Sequence, residues 1–358
     1  MTTYLLAGGG TAGHVNPLLA VADVLREREP DAGIIVLGTR EGLEARLVPE
    51  RGYELTTIAK VPFPRRPNRA ALAFPATFLG AVRDVRRVID DRDVDVVVGF
   101  GGYAATPAYV AARGRVPVVI HEANAMPGMA NKLGAKWASR IGTAFTQTPL
   151  PGAQFVGMPL RREIELLDRA ARRSEAIDAF GLDPDRPTLL VTGGSLGAKQ
   201  LNETMRVSGT RIVEAGWQLL HIVGRLSAFD DPGIGHYHVV EYCDRMDLAF
   251  SAADLVVCRS GSSTVSEITA VGLPAVYVPY PAGNGEQAVN IREHVATGAA
   301  RTVRDADFTP GWVEVELLPL LGDRATLERM GAVASRIGVR DGAARVVRLV
   351  DHALGRAA

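Results

Sequence analysis

Residues 258–290 read CRSGSSTVSEITAVGLPAVYVPYPAGNGEQAVN, and this stretch decides the fold. An apolar run ending at Cys258 predicts a buried strand, Ser260 and Gly261 a turn, and Ser262 onward a helix with a hydroxyl-rich first turn. GLPAVYVP then predicts a second buried strand, and AGNGEQ a polar loop at its end. Strand, helix, strand in that order is the parallel unit of an open α/β sheet, which binds ligands beyond the carboxyl ends of its strands. The amides of Ser262, Ser263 and Thr264 and the positive end of the helix dipole suit an anion there. Glu267, one turn in, has the chemistry to accept hydrogen bonds from two neighbouring hydroxyls, as a ribose offers. Thr264-Val265-Ser266-Glu267 equally fits a capping box, in which the glutamate serves only the helix start. Both readings stand at this point.

The same alternation of short Val/Ile/Leu runs with helical patterns fills the rest of the chain. Strands are expected at 4–7, 34–37, 94–98, 116–120 and 141–145, and again at 188–192, 218–223, 238–241, 253–258 and 275–278. Each half opens on strand, glycine loop, helix: LLAGGGTAGHVNP at 5–17 and LLVTGGSLGAKQL at 189–201. Between them QTPLPGAQFVGMPL (147–160), rich in proline and glycine, reads as a linker or a last edge strand. The expectation is α/β, with two doubly wound parallel-sheet (Rossmann-like) domains facing across a cleft, divided at 1–160 and 161–340. The helical pattern of 341–358 should pack back on the first.

Composition excludes several classes. In 358 residues, 40 basic and 40 acidic side chains cancel, which argues against a general nucleic-acid binder. Two cysteines, Cys243 and Cys258, build no disulfide framework, and MTTYLLAGGG lacks the pattern of a signal peptide, so a cytoplasmic protein is expected. No apolar run reaches the ~20 residues of a membrane-spanning helix.

Locally the charge is uneven. Lys60, Arg65, Arg66, Arg69, Arg83, Arg86 and Arg87 face the single acid Asp84, with Phe63, Phe74, Phe78 and Leu79 interleaved. Exposed, such a segment would meet an anionic membrane surface; a helix with an ordinary core face is the alternative.

Gly8, Gly10 and Gly13 match the dinucleotide fingerprint and suggest an NAD-dependent oxidoreductase. That reading wants an acid ending the second strand, yet the chain there reads Leu37-Gly38-Thr39, and the first acid beyond is Glu41. His14 directly follows the last glycine. At a helix N-terminus it suits a neutral general base, or else a capping or packing role.

Six motifs together, GGGTAGH, FGGY (100–103), HEAN (121–124), GMPLR (157–161), GGSLGA (193–198) and CRSGSSTVSE followed by GEQ, resemble the MurG family of bacterial lipid II synthases. The resemblance runs in order from Thr3 to about Arg348. It implies a metal-independent, cofactor-free, inverting N-acetylglucosaminyltransferase of GT-B fold, with an acceptor-binding first domain and a UDP-GlcNAc-binding second one. The acceptor would be undecaprenyl-linked lipid I, and the enzyme would sit peripherally on the cytoplasmic face of the bacterial inner membrane, held to its anionic surface through 60–87.

Position by position, the resemblance puts Glu267 on the ribose and Ser262, Ser263, Thr264, Val265 and Ser266 around the diphosphate, with Ser195 touching it. It puts Arg161 near the uracil, Cys243 on it through its backbone, Asn124 on the GlcNAc and Gln287 on the sugar hydroxyls. Thr11, Ala12, Gly13 and His14 would close over donor sugar and acceptor diphosphate, with His14 the proposed base and Glu122 in reserve. The chain departs from the family pattern at Ala123, Leu196, Asn284, Gly285 and Glu286. Alternatives are another GT-B glycolipid transferase, a sugar-nucleotide epimerase or the oxidoreductase.

Overall fold

The computed structural model describes residues 1–64, 69–227 and 229–356, with backbone alone at 69–71. Arg65, Arg66 and the Arg69 side chain therefore lie outside the described residues. The chain divides into two units, Met1–Arg162 with Arg340–Ala358, and Glu163–Val339.

The first unit carries strands β1 (Thr3–Ala7), β2 (Gly33–Gly38), β3 (Glu54–Thr57), β4 (Val96–Gly99), β5 (Val118–Glu122), β6 (Arg140–Thr143) and β7 (Gln154–Phe155). They pair in the order β3-β2-β1-β4-β5-β6-β7, all parallel. The second unit carries β8 (Thr188–Thr192), β9 (Gln218–Ile222), β10 (Tyr237–Val240), β11 (Leu255–Cys258), β12 (Ala275–Tyr277) and β13 (Ala300–Thr302). Their order is β10-β9-β8-β11-β12-β13, again parallel. Both orders reverse direction once, between β1 and β4 and between β8 and β11, so each sheet has one switch point.

The central strands are buried along their whole length, as in Val96–Gly99 and Leu255–Cys258, because helices cover both sheet faces. Three strands were absent from the sequence expectation or only half-drawn there. Glu54–Thr57 is partly exposed, Gln154–Phe155 is exposed, and Ala300–Thr302 has two exposed residues. An edge strand packs on one side only and needs no apolar run, so its sequence carries little signal.

The helix Gly342–Ala353 buries Ala343, Val346, Val347, Leu349 and Val350 in the first unit's core with Leu18, Val21 and Val98. Gly142 of β6 leaves room for Leu349, and Arg28 grips Asp351 with both nitrogens at 2.6 and 2.7 Å.

Each unit holds a buried histidine kept neutral by burial. His121 is pushed down to about 4 and His221 to about 3. In the second unit the Tyr237 hydroxyl lies 2.8 Å from His221 Nδ1, and His221 Nε2 lies 3.1 Å from Asn202 Oδ1. Asn202 Nδ2 donates to the Val223 carbonyl and Ser227 Oγ, so Oδ1 accepts and His221 must carry its proton on Nε2. An unfolded imidazole titrates near about 6.5, above either folded value. The unfolded chain thus binds more protons below that pH, and stability is full above it and lost as pH falls toward the folded values. From about pH 7.5 to about pH 5 each histidine should cost ~2 kcal/mol of stability. His221→Gln should remove about that much of the difference between urea unfolding at the two pH values; an unchanged difference would contradict the assignment.

Candidate functional site

Because every strand pair is parallel, the loops after the strands of one sheet share an edge. In the second unit that edge carries Ser195 after β8, Cys243 after β10, Ser262–Glu267 after β11 and Gln287 after β12. In the first it carries Thr11–His14 after β1, Gly101–Tyr103 after β4, and Glu122 and Asn124 at the end of β5. Arg161 stands apart, half-buried beyond β7 in the first unit.

The helix after β11 runs Ser262–Ala270 with Gly261, extended at φ −60° and ψ 144°, as its N-cap. This excludes the capping box: Thr264 is the third residue of the helix, and Glu267 lies six residues past the cap. Val265 N–H, bonded to the Gly261 carbonyl at 3.0 Å, is the first amide satisfied within the helix, so those of Ser262, Ser263 and Thr264 point out of its end. No acid occupies the first turn. The Ser263 hydroxyl is buried without a hydrogen-bond partner among the described residues, an acceptor-hungry group beside the amides. Val265 is fully buried in the core, so only its backbone is available to a ligand; Ser266 is half-buried, and Glu267 is 9% exposed.

The turn before this helix is latched from one side. Gln287 Oε1 accepts from the amides of Ser260 (3.2 Å) and Tyr280 (2.9 Å), Ser260 Oγ donates to the Gln287 carbonyl (3.0 Å), and Asn290 Nδ2 donates to the Ser260 carbonyl (3.2 Å). With its oxygen so engaged, Gln287 has its Nε2 to offer a ligand. On the other side the loop 193–198 is exposed at Ser195. It is drawn against the end of β9 by Gly197 and Gly224, at φ +84° and +90°, where a Cβ on either would overlap the facing backbone. Arg225 bonds the Ser195 carbonyl through its amide (3.1 Å) and lays its guanidinium 3.7 Å from the Tyr242 ring, next to Cys243.

In the first unit Thr11 and Ala12 are exposed at the start of the helix Ala12–Arg28, and His14 is half-buried. His14 Nδ1 lies 3.1 Å from the Gly9 carbonyl and 3.2 Å from Thr11 Oγ1. A carbonyl only accepts, so the Gly9 contact calls for a proton on Nδ1, which in the neutral ring leaves the lone pair on Nε2. Glu122 is buried, and both of its oxygens accept hydrogen bonds: from Asn124 N–H at 2.9 Å, Gly128 N–H at 2.9 Å and Asn131 Nδ2 at 2.8 Å. That is the environment of a loop anchor; Asn124 hangs from it.

Glu44 was not singled out in the sequence, where it belongs to no motif. The helix Glu44–Glu50 turns it back under the glycine loop, where it is 1% exposed and accepts from Gly10 N–H at 2.7 Å. A pyrophosphate at Gly8–Gly13 would lose that amide and meet a buried carboxylate, which removes the dinucleotide reading. Asn131, Ser260, Asn290, Arg225 and Tyr242 also went unremarked, since single polar residues outside a motif carry no spacing signal. Among the described residues no group of three or more His, Cys, Asp or Glu is placed to hold a metal ion.

Two all-parallel doubly wound units, each with its loops gathered at one switch point, are the architecture of the GT-B fold. The Acinetobacter baumannii MurG crystal structure superimposes with a TM-score of 0.81 at 30% identity, covering 98% of this chain and 100% of that one. A Neisseria meningitidis UDP-GlcNAc 2-epimerase shares the fold at TM-score 0.69 and 13% identity, covering 98% and 99%. The models of the glycosyltransferase family 28 N-terminal and C-terminal domains match residues 4–143 and 188–346. UDP-N-acetylglucosamine--N-acetylmuramyl-(pentapeptide) pyrophosphoryl-undecaprenol N-acetylglucosamine transferases are 64% identical in Clavibacter sepedonicus (99% of this chain, 97% of that one) and 58% identical in Leifsonia xyli subsp. xyli (100% of both). The chain belongs to glycosyltransferase family 28.

Proposed function

We infer that the chain transfers N-acetylglucosamine from UDP-GlcNAc to the muramoyl sugar of undecaprenyl-diphospho-muramoyl-pentapeptide, turning lipid I into lipid II in peptidoglycan synthesis. The observation that carries the reading is the full-length identity to transferases of that name, joined to an anion-ready helix start at the switch point of the second unit. Residues 163–339 form the donor-binding unit and 1–162 with 340–358 the acceptor-binding unit. The muramoyl 4-hydroxyl attacks the anomeric carbon from the face opposite UDP, with inversion, as His14 Nε2 takes its proton. Charge growing on the departing diphosphate meets the amides of Ser262–Thr264, the Ser263 hydroxyl and Ser195. Glu267 accepts from the ribose hydroxyls, the Cys243 backbone and Arg161 bind the uracil, and Asn124 and Gln287 Nε2 read the sugar. Glu122, its oxygens engaged by three donors, positions Asn124 and leaves the base to His14.

The acceptor's lipid demands a membrane surface, and no helix among the described residues is long and apolar enough to cross one. The helix Arg69–Asp91 supplies a surface contact. Phe74 and Phe78 pack half-buried against the core, so insertion falls to Phe63, Leu72 and Leu79, at 58%, 84% and 53% exposure. Leu72, Leu79 and Arg86 recur every seven residues along one exposed stripe, with Arg83 beside it. Its second half, Ala81, Val82, Val85 and Ile89, has the ordinary core face that was the alternative.

The reading is tested by transfer from labelled UDP-GlcNAc to a short-chain lipid I analogue; no transfer overturns it. In that assay His14→Ala should lower turnover roughly 100-fold with little change in donor affinity and lose the acid limb of the pH profile. Near-normal turnover would take His14 out of the chemistry.

Glu267→Gln should weaken UDP-GlcNAc binding by about 1.5–3 kcal/mol, read by calorimetry, with the melting temperature held. Unchanged affinity would move the ribose elsewhere.

Replacing Arg83, Arg86 and Arg87 with glutamate should weaken binding to anionic vesicles by about 1 kcal/mol or more per position, as raised salt should for the parent, while transfer to a detergent-soluble acceptor survives. Vesicle binding indifferent to both would place the membrane contact off this helix.

A further inference from the structure

One heavily provisioned carboxylate in the first unit is not used by the reaction as described. Glu44 Oε1 accepts from Thr39 N–H and Thr39 Oγ1, each at 2.9 Å, and Oε2 accepts from Gly10 N–H at 2.7 Å. Three glycines clear the space for it: a Cβ at Gly9, Gly38 or Gly42 would run into this one side chain. The Gly10 N–H belongs to the same peptide unit as the Gly9 carbonyl, and that carbonyl is the partner of His14 Nδ1.

We propose that Glu44 is a positioning residue for His14, acting through the Gly9–Gly10 peptide: carboxylate to N–H on one side, carbonyl to Nδ1–H on the other. A charge-assisted bond to a peptide N–H draws electron density toward its carbonyl oxygen, and hydrogen bonds in such a chain strengthen one another. The stronger acceptor pins the imidazole with its proton on Nδ1 and its lone pair on Nε2, and favours the imidazolium that forms when Nε2 takes the acceptor's proton. The logic is that of an acid oriented behind a catalytic histidine, with one peptide group interposed. The inference rests on His14 as the base.

The other titratable groups around this loop are otherwise engaged. Glu122 is held by Asn124, Gly128 and Asn131, His121 Nε2 by the Gly157 carbonyl at 3.0 Å, and Lys60 lies 4.9 Å from the ring centroid of Tyr103. The first turn of the helix that bears His14 holds no acid.

The direct test is the imidazole ¹⁵N spectrum of the full chain with ¹⁵N-labelled histidine, His14 being assigned by its loss in His14→Ala. The parent should show the Nδ1–H tautomer, and an Nε2–H tautomer in the parent would overturn the proposal without any variant. In Glu44→Gln the tautomers should mix and the acid limb of the kcat profile should move to lower pH. Turnover should fall roughly tenfold, with the KM for UDP-GlcNAc within about twofold. Glu44→Asp, which keeps the charge, should recover part of the tautomer preference. Thr39→Val supplies the structural control: it loses a bond to Glu44 and some thermal stability but should keep tautomer and pH profile. If Glu44→Gln lowers stability and turnover with tautomer and profile unmoved, Glu44 is a loop brace only. If His14→Ala is inactive while Glu44→Gln matches the parent, this inference fails and the base assignment stands; if His14→Ala retains turnover, the base assignment fails and takes this with it.

Discussion

Both units depend on backbone lying directly against backbone at the sheet edge. In the first, Gly102 after β4 sits on Gly9 after β1, so close that a Cβ on Gly102 would overlap the Gly9 carbonyl. In the second, Gly197 after β8 and Gly224 after β9 meet in the same way. Each of Gly102, Gly197 and Gly224 has a positive φ, which makes glycine necessary twice over, for conformation and for room. A methyl group at such a contact would push apart two loops whose amides and side chains have to converge. These glycines are therefore spacers that set how near two strand ends approach.

The two units brace those loops with different chemistry. In the first, carboxylates do it: Glu44 takes the Gly10 amide, and Glu122 takes the amides of Asn124 and Gly128. In the second, neutral amides do it, Gln287 and Asn290 holding Ser260 just ahead of the helix Ser262–Ala270. A carboxylate brace beside that helix start would compete with any phosphate for the same dipole, whereas an amide brace fixes the turn and adds no charge. The absence of an acid from the first turn of the helix fits the same requirement.

How much of this was legible follows from where each signal comes from. Central strands such as Val96–Gly99 and Thr188–Thr192 announce themselves because both faces are covered, every position is buried and Val and Leu dominate. Glu54–Thr57 and Ala300–Thr302 do not, because edge strands are stabilised by a neighbour that sequence pattern cannot point to. The capping-box ambiguity at Thr264–Glu267 was real in one dimension and dissolved by the placement of the helix start at Gly261, three residues earlier than that box needs. Phe74 and Phe78 looked like membrane anchors by composition, but rotation of their helix turns them inward and leaves Leu72 outward.

Glu44 marks the limit of motif reading most clearly. The dinucleotide fingerprint wants an acid ending the second strand, where the chain has Leu37, Gly38 and Thr39. An acid does reach the loop, from the start of the next helix, and it binds the loop's own Gly10 amide where the fingerprint would have it bind a ribose. The glycines at 9, 38 and 42 record its presence, since each is where a side chain would collide with one carboxylate. Scattered over three segments, they show no spacing by which sequence alone would group them. What joins them is the volume of a single buried group, whose carboxylate takes the Gly10 N–H of the same peptide whose carbonyl lies against His14 Nδ1.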